Sequence, residues 1–302
     1  MADFEFLQNP LSKRWVILAP RRAMRPDVAK GPEPVCPFCL GREREEKELY
    51  RVQDGKGYVN WPASHQLSPQ AIAGWQIRVI PNKFPFAPIH EVIIHSPSHH
   101  KNFGEFPLVQ TELILETYRE RFNLHAEKGQ VYIFHNRGEA GGESLPHPHT
   151  QLAVIPFEVK TDLPRLASEG GLETKYFTLF CPKSSQWPDE IWAAPKQRGR
   201  AFGEINTGEI KDLSFIITRL IQILHLRHGD EFSFNFYIYP GGDWYIRIIP
   251  RLKVLGGFEI GTGIYVNTQD PRETIMFIKE HFEKPDKEKI RTQHQAKYEK
   301  RV

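Results

Sequence analysis

His147 and His149, separated by one proline, are the residues of this sequence best suited to catalysis. On a strand, side chains two residues apart point to the same face, about 7 Å from each other. Pro148 cannot donate a ladder hydrogen bond, so we expect this segment at a sheet edge or at the start of a strand. The glycines Gly138 and Gly142 precede it, and exposed backbone N–H groups in such a loop can bind phosphate. The pattern therefore indicates attack on phosphorus by an imidazole nitrogen.

Three polar residues around the histidines favour this interpretation. Gln151 would share the face of His149 and could donate its amide to a phosphoryl oxygen. Asn136 and Ser144 flank the glycine-rich loop. The alternative is that both histidines are metal ligands or simply polar residues of a sheet edge.

The motif Cys36-Pro37-Phe38-Cys39 could hold one metal ion between its two thiolates. A closed zinc site needs two further ligands, and the sequence contains no second CxxC. A redox pair and plain buried thiols are the alternatives. The candidate partners are four histidines: His95, His99, His100 and His147.

A short basic loop, Arg21, Arg22 and Arg25, lies near the N-terminus. Guanidinium groups suit recognition of phosphate and of nucleobases. A solvated surface loop explains the same residues equally well.

Composition excludes several classes of protein. The chain has 302 residues, a net charge of +3 and three cysteines. A mild positive charge suits anionic small substrates but not nucleic acid, and no apolar run approaches the roughly 20 residues of a membrane span. The N-terminus lacks a signal peptide and the cysteines are few, so we expect a cytoplasmic protein with no nucleic-acid or membrane partner.

The predicted elements form a unit of strand, helix, strand, glycine loop and strand that occurs twice. A buried strand over 14–19 and a strand over 76–81 come first. The first copy of the unit then has a strand over 91–95, a helix over 108–128, and strands over 131–134 and 147–155. The second has strands over 190–195, 232–238 and 244–250 and a helix over 209–227. Aligning the copies places Asp243 opposite His149 and Tyr245 opposite Gln151. We predict an N-terminal catalytic repeat over 1–165, a C-terminal repeat over 166–282 and a charged tail over 283–302.

The sequence resembles the galactose-1-phosphate uridylyltransferase family, a branch of the histidine-triad superfamily, from Arg14 to about Asn267. The segments of this sequence that resemble the family's motifs are WVILAPRRAMRP, CPFCLG, SPSH, NRGEAGGESLPHPHTQ and KVLGGFEIGTG. The resemblance implies an α+β fold in which two histidine-triad-like repeats fuse into one largely antiparallel sheet with packed helices.

The resemblance also assigns roles. It makes His149 the nucleophile, assisted by Gln151 and Ser144, and implies a homodimer. One structural zinc ion per chain would be held by Cys36, Cys39, His99 and His147. Substrate contacts would come from Arg22, Arg25, Arg78, Asn82, Asn136 and Gly142, with Lys253, Phe258 and Glu259 contacting the hexose across the dimer interface.

The implied activity is ping-pong uridylyl transfer from UDP-glucose to a hexose 1-phosphate, galactose 1-phosphate above all, in galactose metabolism. Two features also fit relatives that act on ADP-glucose. Tyr265 replaces a glutamine that contacts the hexose phosphate, and Gly257 to Gly263 resembles the adenylyl-transferring members. ADP-glucose phosphorylase is therefore the alternative, and a non-catalytic nucleotide-binding zinc module is the alternative outside enzymes. The strand at Trp244 to Arg247 carries no HxH, so we expect no second metal site.

Overall fold

The structure is a computed structural model, and it describes residues 3–25, 36–43, 47–59, 74–166, 170–230 and 232–299. Pro26, the last residue of the predicted basic loop, lies outside these ranges, as does the end of the charged tail. In the described part of the chain, no helix is both long and apolar enough to span a bilayer.

Eleven strands of the described chain form one antiparallel sheet, and two more form a separate ribbon. The ribbon pairs β1 (Glu5–Gln8) with β2 (Trp15–Leu18). The sheet contains β3 (Tyr50–Gln53), β4 (Lys56–Val59), β5 (Trp75–Pro81), β6 (Ile89–Ile94), β7 (Gln130–Arg137), β8 (His149–Ile155), β9 (Leu172–Glu173), β10 (Phe177–Phe180), β11 (Ile191–Pro195), β12 (Phe234–Ile238) and β13 (Ile246–Pro250). Its order is β4-β3-β5-β6-β8-β7-β12-β13-β11-β10-β9.

Two long helices and three shorter ones accompany the sheet in the residues that the structure describes. The long helices, α1 (Leu108–His125) and α2 (Thr207–His228), pack on each other. Asn206 caps α2 by accepting from the Glu209 N–H, with the Glu209 side chain accepting from the Asn206 N–H in return. The shorter helices are α3 (Gly257–Thr262), α4 (Pro271–His281) and α5 (Lys287–Glu299).

The sheet order confirms the α+β fold and its internal repeat. The strands β5-β6-β8-β7 of the first half match β10-β11-β13-β12 of the second, and each half sends one long helix between its second and third strands. The halves join through β7 and β12, where Asn136 lies opposite Asn235. One continuous sheet therefore carries both repeats.

The main core lies between this sheet and the helices. Ile114, Tyr118 and Phe122 recur every fourth residue along α1, a spacing that places them on one face of the helix, and all three are buried. Burial of each such side chain stabilises the fold by roughly 1.5–3 kcal/mol. Glu91 of β6 also anchors α1, accepting from Arg121 at 2.5 and 2.9 Å.

Two expectations about local structure require correction: the burial of the strand over 14–19 and the first residue of the strand over 147–155. The strand at β2 is not buried: it pairs only with β1, so Val16 and Leu18 are half exposed. The loop that follows begins with a 3-10 turn, Pro20–Met24. The strand predicted over 147–155 begins at His149, not His147, because Pro148 cannot extend the ladder. Of the two locations expected for His147 and His149, the start of a strand is the one observed, because this strand lies inside the sheet between β6 and β7.

The predicted charged tail contains α5. It is not fully solvated, since Ile290 is completely buried.

Candidate active site

The glycine-rich loop between β7 and β8 is fixed by its own backbone and by one carboxylate. Glu143 accepts from the Gly138 N–H at 2.8 Å, and its own N–H donates to the Gly138 carbonyl at 3.1 Å. Gly138 has a φ of 74°, and a Cβ there would lie 2.2 Å from the Ser233 hydroxyl oxygen. Only glycine fits this close approach, so the loop shape depends on it. At Gly142 (φ 76°) an added Cβ would have no neighbouring heavy atom within 4 Å.

His149 presents one defined nitrogen to solvent-accessible space. Its Nδ1 lies 2.8 Å from the His147 carbonyl oxygen, which can only accept. The proton of the neutral ring therefore sits on Nδ1, and Nε2 keeps its lone pair. Burial lowers the pKa of His149 to about 4, so the ring is neutral at pH 7. A neutral imidazole with a free Nε2 is the reactive form of a histidine nucleophile.

A second buried histidine supports this strand from behind. His135 of β7 donates from Nδ1 to the His149 carbonyl at 2.8 Å. Its ring stacks between His95 and Phe236, with centroids 5.5 and 4.9 Å away. Burial lowers the pKa of His135 to about 3, so the ring supports the predicted nucleophile without adding a charge.

The face of His149 opens on a cleft of about 420 Å³, a size suited to a small-molecule ligand. Its apolar wall includes Phe38, Ile80, Phe84, Val92 and Leu145. Its polar lining consists of Arg25, Asn82, Lys83, Ser144, His149 and Gln151. Two cations and several hydrogen-bonding groups thus converge on the predicted nucleophile.

The amide of Gln151 lies within a small hydrogen-bonded group at the cleft wall. Its Oε1 is 3.0 Å from Nε2 of His90 and 3.3 Å from Nδ2 of Asn82. Both Gln151 and His90 are nearly inaccessible to solvent. Gln151 and Asn82 were predicted from the sequence, whereas His90 was not.

The four predicted metal ligands converge on one point beside the cleft. The ligand atoms of Cys36, Cys39, His99 and His147 all lie within 4.8 Å of one another. Register explains the convergence: β6 ends and β8 begins side by side, with the His95 N–H bound to the Pro148 carbonyl at 3.0 Å. The segments carrying His99 and His147 are therefore neighbours.

The donor atoms of this cluster suit a metal ion. His147 donates from Nε2 to the Ser96 carbonyl at 2.8 Å, which leaves the lone pair on Nδ1, 3.7 Å from Cys39 Sγ. His99 Nδ1 lies 3.1 Å from the same sulfur. An outer carbonyl that orients a ligating imidazole is typical of metal sites. His95 takes no part, since its Nε2 contacts Thr150 and Tyr118 in the core, and His100 is exposed.

Two of the remaining predicted substrate residues, Arg22 and Asn136, lie next to the cleft or the glycine loop. Arg22 lies beside the cleft, donating to the Phe84 carbonyl at 2.6 Å and stacking over Phe86. Burial and the neighbouring Arg25 lower the pKa of Arg22 to about 10. Asn136 accepts from Asn235 of the second repeat at 2.8 Å, next to the glycine loop.

Four predicted residues are not brought to the cleft within this chain. Arg78 is fully buried and forms an ion pair with Glu48 at 2.6 Å. Lys253 forms an ion pair with Glu259 at 2.9 Å, and Phe258 is exposed beside them on α3.

Comparisons with known proteins agree with this arrangement. The family described as galactose-1-phosphate uridyl transferase, N-terminal domain, matches residues 88–155, which span β6 to β8. An ADP-glucose phosphorylase from Arabidopsis thaliana is 27% identical over 91% of this chain and 92% of its own length. A galactose-1-phosphate uridylyltransferase from Thermotoga maritima is 25% identical over 91% and 98%. The predicted resemblance to the galactose-1-phosphate uridylyltransferase family is confirmed.

A solved structure extends the similarity to the whole fold of this family. The crystal structure of an ADP-glucose phosphorylase from Arabidopsis thaliana with bound ADP-glucose matches at a TM-score of 0.68 and 26% identity, covering 92% of this chain and 98% of that one. The relatives identify the chain as a nucleotidyltransferase. It is therefore an enzyme and not a binding module alone.

Three residues that support this family site were missed by sequence reasoning. His90 contacts Gln151, Glu143 shapes the glycine loop, and Asn235 donates to Asn136 and to the Gly141 carbonyl. Each acts across a strand or a loop, and spacing along one chain gives no sign of such contacts. The aligned repeats were the one available signal for Asn235, since they pair β7 with β12.

Proposed function

We propose that the chain transfers a nucleotidyl group from a nucleoside diphosphate hexose to an anionic acceptor through a covalent intermediate on His149. The observation that carries the proposal is the unprotonated Nε2 of His149 at the wall of a cleft that also contains Ser144, Gln151 and Arg25. The hydrogen bond to the His147 carbonyl fixes which nitrogen reacts.

The first step forms a bond between His149 Nε2 and the α-phosphorus of the donor. The bond from that phosphorus to the bridging oxygen breaks, and the hexose 1-phosphate leaves with the electron pair. In the second step an oxygen of the acceptor phosphate attacks the same phosphorus, and the electron pair of the N–P bond returns to Nε2. Throughout, Nδ1 keeps its proton, and the carbonyl of His147 stabilises the positive charge that the ring gains in the intermediate.

Charge on the phosphoryl oxygens would be stabilised by donors already in place. The Ser144 hydroxyl, the Gln151 amide and the Arg25 guanidinium line the same cleft as His149. We assign the nucleotide to this cleft, with Asn82 and Arg22 at its rim and the loop at Gly142 near the phosphates. Preorganised donors of this kind each contribute about 10²–10³-fold to the rate. The leaving group is already an anion, so the reaction requires no strong general acid.

We propose that the cluster of Cys36, Cys39, His99 and His147 holds one zinc ion. Two thiolates and two imidazoles form a common donor set of structural zinc, and four protein ligands leave no open position. The ion would act by fixing His147, whose carbonyl accepts the hydrogen bond of the nucleophile.

Two donor and acceptor pairs are candidates. The first is UDP-glucose with galactose 1-phosphate, as in a hexose-1-phosphate uridylyltransferase of galactose metabolism. The second is ADP-glucose with inorganic phosphate, as in ADP-glucose phosphorylase. Tyr265 and the segment from Gly257 to Gly263 favour the second pair, because the family's hexose-phosphate glutamine is absent.

The two pairs separate in a single set of assays. The full chain is incubated with each donor and each acceptor in all four combinations, and release of glucose 1-phosphate is measured. We expect turnover with one nucleobase to exceed the other by at least about 10-fold, since a cleft with fixed hydrogen-bonding groups discriminates among bases by 1.4 kcal/mol or more. Absence of turnover in every combination would contradict the proposal.

We also propose that the chain forms a homodimer. The ribbon and the segment around α3 expose Leu11, Val254, Phe258, Ile260 and Ile264, all more than half accessible. Exposed apolar groups at this density indicate an interaction surface. In the family Lys253, Phe258 and Glu259 contact a hexose in the partner's site, which explains why they lie apart from the cleft of their own chain.

Light scattering on a sizing column tests the dimer. The double variant Val254→Glu/Ile260→Glu is expected to elute as a monomer, because two buried carboxylates would each cost several kcal/mol at an interface. Met276→Glu on α4, also exposed, is the matched control and should leave the dimer intact. A monomeric parent protein would contradict the proposal.

A further inference from the structure

We infer that His90 is a positioning residue that sets the orientation of the Gln151 amide, so that Gln151 presents N–H donors and not its oxygen to the phosphoryl group. The predicted effect of His90 on the rate of nucleotidyl transfer rests on the proposed function. The structural part of the inference concerns only hydrogen bonds within this chain.

The tautomer of His90 follows from one backbone contact. The Phe86 N–H donates to Nδ1 of His90 at 3.3 Å, and a backbone N–H can only donate. Nδ1 therefore carries the lone pair, and the proton of the neutral ring lies on Nε2. The ring is neutral because burial, aided by Arg22 and Arg25, lowers the pKa of His90 to about 4.

The same reasoning fixes Asn82. Its Oδ1 accepts from the Phe84 N–H at 2.9 Å, so its Nδ2 is the group that faces His90 and Gln151. His90 Nε2 and Asn82 Nδ2 lie 3.2 Å apart. They are thus two donors that share one acceptor, the Oε1 of Gln151.

Gln151 can satisfy both donors in only one orientation. With Oε1 toward His90 and Asn82, its amide nitrogen lies on the opposite side of the group. Gln151 and His149 are two residues apart on β8 and line the same cleft. A flipped amide would direct a lone pair toward the phosphoryl oxygens and set its N–H groups against two other donors. His90 and Asn82 together therefore select a donor beside the nucleophile.

A set of His90 variants separates orientation from packing. His90→Leu removes the donor, whereas His90→Gln keeps an N–H at similar reach. We expect His90→Leu to lower the rate of nucleotidyl-enzyme formation by about 10–100-fold, with the donor KM changed less than about 3-fold, since one charge-stabilising donor is lost. His90→Gln should recover most of the rate. Equal losses in the two variants would overturn the proposal.

A double-variant cycle then tests whether His90 acts through Gln151. In a Gln151→Ala background, His90→Leu should cost less than about 3-fold, because the amide it orients is absent. Independent, multiplicative losses would contradict the inference. The donor used is whichever of UDP-glucose and ADP-glucose labels the parent protein.

One measurement is independent of the proposed function. Long-range ¹H–¹⁵N spectra of the histidine rings report which nitrogen carries the proton, and the His90→Gln variant identifies the His90 signals. We expect the Nε2–H tautomer at pH 7.5. The Nδ1–H tautomer would overturn the inference even if the enzyme transferred nucleotides through His149. If the parent protein showed the Nε2–H tautomer but no transfer activity, only the proposed function would be contradicted.

Discussion

Replacement of His149 by alanine is expected to lower the rate of nucleotidyl transfer by about 10⁴-fold or more, as removal of a covalent nucleophile does in other enzymes. The structure gives the reason: the ring is neutral, its Nδ1 is bound to the His147 carbonyl so that the lone pair stays on Nε2, and the side chain lines the cleft. Initial rates of glucose 1-phosphate release from the preferred donor provide the measurement.

The control for this variant is His100→Ala. His100 is exposed and lies next to a predicted metal ligand, yet it is absent from the cleft lining and from the metal cluster. We expect its turnover and metal content to match the parent. If His149→Ala kept more than a tenth of the parental rate, direct transfer between donor and acceptor would replace the covalent mechanism.

Loss of one thiolate from the metal cluster is expected to have the second largest effect. Cys39→Ser should purify with much less than one zinc ion per chain, because the sulfur of Cys39 contacts both His99 and His147. We expect a fall in Tm of roughly 10 °C, since structural metal binding contributes to folding and 1 kcal/mol corresponds to about 2–4 °C in a large domain. Elemental analysis and calorimetry check the two results.

The matched control is Cys181→Ala, which removes a buried thiol outside the cluster. Its zinc content should remain at one per chain, whatever its Tm. Transfer activity of Cys39→Ser should fall with its metal content, because His147 would no longer hold the start of β8 in place. Full zinc occupancy in Cys39→Ser would contradict the assignment of this ligand.

Much of this site was accessible from the sequence because its signals are local or repeated. The segment from Asn136 to Gln151 carries the proposed nucleophile, a proposed metal ligand and the glycine loop within sixteen consecutive residues. The helical spacing of Ile114, Tyr118 and Phe122 likewise identified the buried face of α1. For the metal cluster, the resemblance selected His99 and His147 from four candidates that spacing alone left open.

What the sequence did not predict depends on contacts between distant segments. Arg78 was assigned to the nucleotide, but Glu48, thirty residues earlier, binds its guanidinium inside the protein. The apolar run of β2 indicated burial, yet pairing with β1 alone leaves one face exposed. In the second repeat, Tyr245 stacks on Trp192 at 4.2 Å, so an aromatic pair takes the place of the polar Gln151 group.

The central claim is that His149 carries the nucleotidyl group, and the mass of the intact chain tests it most directly. The protein is exposed separately to UDP-glucose and to ADP-glucose without acceptor, quenched, and its mass is measured with and without later addition of galactose 1-phosphate or phosphate. We predict an increase by one uridylyl or one adenylyl group on the parent chain, lost on addition of the acceptor and absent from His149→Ala. An unmodified parent that nevertheless turns over substrate, or an equal increase in His149→Ala, would contradict the account.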